Sequence, residues 1–138
     1  WTQIWYSKFV FFNSRRSQDL FLSENKIQRF KNIIKESTEL SQRNKNPEII
    51  FEKKLDLKNI SWENYYFHTE NQESNYLKNI DFSKTNYNLF VWPEWWFDDI
   101  EVKEFDINNF KKIYLWNNIL RTQTAWITTW FYFIQNTL

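Results

Sequence analysis

Apolar positions change period along the chain, and the changes mark out its elements. Trp1, Ile4, Tyr6, Phe9 and Phe11 alternate loosely with polar residues, which predicts a strand or an extended arm within residues 1–20. Asn13 to Asp19 breaks that run with polar turn formers. Ser23 then stands where a helix N-cap belongs, Glu24 fills the first turn, and Ile27, Phe30, Ile33, Ile34 and Leu40 fall near one stripe at helical spacing. The pattern predicts an amphipathic helix over about 24–40, ended by polar Ser41 to Pro47. Three short strands follow at Ile49 to Leu57, Trp62 to Phe67 and Tyr87 to Trp92, with Glu70 to Asn79 as loop or short helix and Pro93 closing the last strand.

From Asp106 the period is helical again. Asp106 is the predicted N-cap, and Phe110, Ile113, Trp116 and Leu120, then Trp126, Ile127, Trp130, Phe131 and Ile134, recur three or four apart. This predicts a long aromatic helix over about 106–136, or a helix pair if Arg121 to Thr124 turns. Unbroken, it would extend roughly 45 Å and need a partner surface over its aromatic face. The expected fold class is α+β: a small irregular sheet, an amphipathic helix and the C-terminal helical element, in a single domain spanning 1–138 with 106–138 as an extension.

Composition removes several kinds of chemistry. Glycine is absent, so a dinucleotide fingerprint and a phosphate-binding P-loop, both built on its positive φ, are excluded. Cysteine is absent too, which leaves no disulfide and no thiolate metal site. His68 is the sole imidazole, so no multi-histidine metal centre can form. The carboxylates Glu94, Asp98, Asp99, Glu101, Glu104 and Asp106 lack the spacing and glycine of a calcium loop and read as a solvated face. Only Asp98, beside Trp95, Trp96 and Phe97, is placed to have its pKa raised by desolvation. No catalytic residue, metal or cofactor is called for.

Charge is uneven although the total is +1. Residues 1–54 carry 11 Lys/Arg against 6 Asp/Glu, and residues 55–138 carry 7 against 11. Lys8, Arg15 and Arg16, interleaved with aromatics, are the candidate RNA contacts. Trp92, Trp95, Trp96, Trp116, Trp126, Trp130, Phe131 and Ile134 are the candidate protein interface, because tryptophan is enriched at interface hot spots. No apolar stretch reaches the ~18 residues of a membrane span.

Nine tryptophans accompany 17 Asn, 14 Ile, 14 Phe and 13 Lys, against one Ala, two Pro and no Gly. AT-rich codons dominate, and tryptophan is abundant only if UGA is read as Trp. In this the chain resembles mitochondrially encoded, lineage-specific subunits of ciliates. The resemblance implies a mitochondrial location, in the matrix or at the matrix face of the inner membrane. The chain begins at Trp1 without a presequence, which fits synthesis inside the organelle. Together these readings favour a non-catalytic structural subunit of the mitochondrial ribosome, touching rRNA through its N-terminal half and other subunits through its aromatic residues. The alternatives are a peripheral accessory subunit of a respiratory complex, or a small ligand-binding module built on the Trp92 to Trp96 cluster.

Overall fold

The computed structural model describes residues 6–17, 23–68, 76–79, 86–91, 97–115 and 120–137. The class is α+β, as expected, and among the described residues the strands form two sheets in which every pairing is parallel. The chain divides into two compact units, one of residues 1–13 and 18–55, the other of 14–17 and 56–138.

In the first unit β1 (Lys8–Phe12) pairs in parallel with β2 (Glu48–Glu52), and α1 (Glu24–Leu40) lies between them in sequence. Parallel strands need such a crossover. Phe11 of β1, Phe30 of α1 and Phe51 of β2 gather with ring centroids 5.3–6.3 Å apart. Ser23 has the extended backbone of an N-cap, although its hydroxyl caps nothing. Only Ile34 and Thr38 of α1 are buried, and Phe30, Ile33 and Leu40 of the expected stripe are exposed.

The second unit holds β3 (Glu63–Phe67), β4 (Tyr87–Phe90), α2 (Asp99–Ile107), β5 (Lys111–Ile113) and α3 (Thr122–Thr137), with 3-10 turns at Leu57–Asn59 and Leu77–Asn79. Its strand order is β4-β3-β5. Central β3 buries Tyr65, Tyr66 and Phe67 in succession, as a parallel strand covered on both faces does. Phe105 of α2 closes the core, with its ring centroid within 5.5 Å of those of Tyr66, Phe90, Phe97 and Phe110.

The expected helix over 106–136 is not continuous. Asp106 sits in the last turn of α2, where its carboxylate accepts a hydrogen bond from the Tyr66 hydroxyl at 2.6 Å, and residues 111–113 are a strand. Phe110 and Ile113 keep helical spacing because both reach the core, one just before β5 and one within it. The helix proper begins at Thr122. Among the residues of this helix whose side chains are described, Ala125 and Thr129 are buried with no exposed surface, whereas Trp126 and Trp130 are half-buried and Phe131 is exposed. Thr129 donates its hydroxyl to the Ala125 carbonyl at 2.8 Å, so the small face of α3 is buried without an orphan polar group.

Candidate functional site

A parallel sheet flanked by helices presents the carboxyl ends of its strands on one edge, and there such folds receive ligands. In the second unit that edge is formed by His68 after β3, Val91 after β4, and Tyr114 and Leu115 after β5. The His68 N–H donates to the Ile113 carbonyl at 2.9 Å and the Leu77 N–H to the Tyr114 carbonyl at 3.2 Å. Tyr76 meets the Tyr114 ring edge-on, with centroids 5.2 Å apart. Because α2 ends at Ile107 and leads directly into the start of β5, its N-terminus points back toward the carboxyl edge.

That N-terminus is tied to Ser14–Ser17. Asp98 caps α2, accepting from the Ile100 N–H at 3.0 Å and the Glu101 N–H at 2.8 Å, while Glu101 reaches back to the Asp98 N–H at 2.9 Å. This reciprocal capping box satisfies donors the helix leaves open. Arg15 crosses to it from 83 positions away: its Nε lies 2.7 Å from Asp98 Oδ2, and its backbone N–H donates to Glu101 Oε1 at 3.0 Å. Ser14 begins a turn in which the Ser17 N–H and hydroxyl both donate to its carbonyl. The buried Ser14 hydroxyl has no hydrogen-bond partner among the described residues.

Desolvation acts to raise the Asp98 pKa, but the Glu101 N–H, the Arg15 guanidinium and the Ile100 N–H outweigh it and hold the carboxyl below its ordinary value. The sequence suggested a raised pKa for Asp98, and the cap reverses it. The signal was readable: Asp98, Asp99, Ile100 and Glu101 have the spacing of a capping box. Glu101, read from the sequence as part of a solvated face, is buried because it closes the cap; Ser14 and the edge residues Val91 and Leu115 were not singled out by the sequence.

The candidate RNA contacts fall in different units, Lys8 in the first and Arg15 and Arg16 in the second. Lys8 pairs with Glu48 at 3.3 Å across β1 and β2, Arg15 is engaged at α2, and Arg16 is exposed. Of the candidate interface residues, Trp92, Trp95, Trp96 and Trp116 lie outside the described residues, as does the side chain of Ile134. Among the described residues no helix is long and apolar enough to cross a membrane, and no group of carboxylates and histidines could hold a metal.

The fold is shared with known proteins. A candidate methyltransferase of Legionella pneumophila, Lpg2936, solved in complex with the bound cofactor SAM, is 21% identical with a TM-score of 0.86; the match covers 98% of this chain and 57% of that one. A candidate rRNA-methyltransferase of Porphyromonas gingivalis is 17% identical with a TM-score of 0.77, over 97% of this chain and 58% of that one. A hypothetical protein is 21% identical with a TM-score of 0.76, over 99% and 58%. The chain thus spans less than two thirds of the length of these structures. No curated protein matches it.

The family model described as RNA methyltransferase domain matches residues 1–133. It overturns the expectation of a mitochondrially encoded ciliate subunit, and with it both non-catalytic assignments, to the ribosome and to a respiratory complex. Codon bias, shared by unrelated AT-rich genes, carried that resemblance, and no residue pattern stood behind it. The alternative of a ligand module on Trp92 to Trp96 gives way as well. By its sequence over residues 1–133, the chain belongs to the RNA methyltransferase domain family.

Proposed function

We propose that the chain is the methyl-transferring domain of an enzyme that modifies RNA with S-adenosylmethionine as donor. The observation that carries this reading is the family match over residues 1–133. The fold shared with the SAM-bound Legionella protein supports it.

The residues present suit the cofactor, which joins a flat, largely apolar base to a polar, charged tail. Val91 and Leu115, half-buried just after β4 and β5, would flank the base with apolar side chains and offer main-chain groups to its edge. Asp98 and Glu101 are instead committed to the α2 cap and to Arg15, with each of their carboxylate oxygens accepting a hydrogen bond there. When bound, the cofactor would supply a methyl group on a cationic sulfur: an RNA nitrogen or oxygen would take the methyl and give up its proton to solvent, and the sulfur would keep the electrons of the broken bond. The chain's own task is to align the two and keep water out. The packed layer of Tyr66, Phe90, Phe105 and Phe110 beneath the edge keeps it rigid enough for that.

RNA contact falls to the basic part of the chain. Lys26, Arg29, Lys31 and Lys35 of α1 are all exposed and suit phosphates. We take ribosomal RNA as the substrate, since it is what the Porphyromonas neighbour is described as modifying. The test is transfer of labelled methyl from S-adenosylmethionine to ribosomal RNA lacking its natural modifications, alongside calorimetric titration of the cofactor into the protein. Label in RNA with saturable cofactor binding is expected. Failure to bind millimolar S-adenosylmethionine would overturn the reading.

A further inference from the structure

We infer that the nine tryptophan positions of this chain are glycines in the protein its cell makes, because UGA codons there are read as glycine. This inference is independent of the methyltransferase reading.

Two counts motivate it. Ordinary proteins carry about 7% glycine, or roughly ten residues in a chain of this length. Here glycine numbers zero and tryptophan nine. An AT-rich gene accounts for the loss of glycine and alanine, whose codons are rich in G and C, yet it gives no reason for an excess of the largest side chain. A UGA codon that carries glycine but is written as tryptophan accounts for both counts at once.

The backbone supplies a separate observation. Only three described residues have positive φ: Gln42 at 53°, Asn109 at 60° and Trp62 at 80°. Gln42 and Asn109 follow the C-caps of α1 and α2, where a left-handed residue commonly ends a helix. Trp62 precedes β3 and is largely exposed, so no burial of its indole compensates a conformation that clashes with a bulky Cβ substituent. Glycine adopts that φ without the clash.

The positions in sequence agree. Trp92, Trp95 and Trp96 fall in the connection from β4 to α2, and Trp116 in the connection from β5 to α3. Strand-to-helix connections at the carboxyl edge of a parallel sheet are where glycine lets the main chain turn tightly and approach a ligand. In α3, Trp126 and Trp130 each directly follow a fully buried small residue, Ala125 and Thr129. Small side chains at all four positions would widen the face on which that helix packs closely.

Peptide mass spectrometry of the protein isolated from its source cells tests this directly. Glycine is expected at all nine positions, with an intact mass below 17.4 kDa by nine Trp-to-Gly differences and no tryptophan fluorescence. Tryptophan at any one of the nine overturns the inference. A second measurement tests the structural argument: in the chain as written, Trp62→Gly is expected to raise the melting temperature, and an unchanged or lower value overturns the claim of strain there. Neither readout involves methyl transfer, so their failure is distinguishable from failure of the proposed function.

Discussion

Asp98→Ala removes the acceptor that organises the N-terminus of α2, and its cost can be worked from the contacts. Two helix N–H groups, of Ile100 and Glu101, lose their acceptor, a loss of about 0.5–2 kcal/mol for an N-cap. Arg15 loses its ion pair, but its side chain is 59% exposed, so solvent screening limits that term to about 0–1 kcal/mol. The Arg15 backbone N–H keeps its bond to Glu101, so Ser14–Ser17 is loosened and not released. The expected destabilisation is therefore about 0.5–3 kcal/mol. Asp98→Asn keeps a capping oxygen and loses the charge, and should cost less. Urea unfolding, with hydrogen exchange of the α2 amides as a local probe, measures both variants.

The folded pKa of Asp98 is depressed, so its contribution to stability is complete at pH well above the unfolded value of 3.8 and disappears as pH falls through the lower folded value. The difference between wild type and Asp98→Ala should narrow over that acid window and stay constant between pH 6 and pH 8. A variant as stable as wild type at neutral pH, or a difference that widens on acidification, would refute the argument.

Three further outcomes follow from the packing and charge. Ala125→Leu forces a larger side chain into a fully buried position of α3 and should cost about 1–3 kcal/mol, measured by thermal unfolding against Ile127→Ala on the exposed side of the same helix. Tyr66→Phe removes the 2.6 Å hydrogen bond to Asp106 and should cost about 1–2 kcal/mol, as a bond to a partly solvated carboxylate does. Replacing Lys26, Arg29, Lys31 and Lys35 of α1 by Gln should flatten the salt dependence of RNA binding, by about 0.7 in the log–log slope for each lost contact to a single strand. An unchanged slope would remove α1 from the RNA surface.

What could be read in the sequence was the local part. The helix expected over about 24–40 matches α1 (Glu24–Leu40), because its apolar spacing covers four turns without a breaker. The strands expected at Trp62 to Phe67 and Tyr87 to Trp92 match β3 and β4 to within two residues. The region after Asp106 was misread because a three-residue strand is too short to show a period, and Phe110 and Ile113 happen to be three apart. Function was hidden for a different reason. The proposed ligand edge, with main-chain groups and apolar residues such as Val91 and Leu115, has no titratable signature, and of the carboxylates that attracted attention Asp98 and Glu101 serve the cap of a helix.

The central place of β3 also sets an order of events during synthesis. Tyr65 pairs with Lys111, forty-six positions later in the chain. At about 5–20 residues per second a ribosome takes roughly 2–9 s to cover that interval. Throughout it at least one edge of β3 lacks its final neighbour, while Tyr66 waits for Phe105 of α2, the ring that packs against it. An uncovered apolar strand is a template for pairing with other chains. The emerging polypeptide is therefore most prone to aggregate between completion of β3 and completion of β5, and slower translation of that stretch would lengthen the exposure and lower the yield of folded protein.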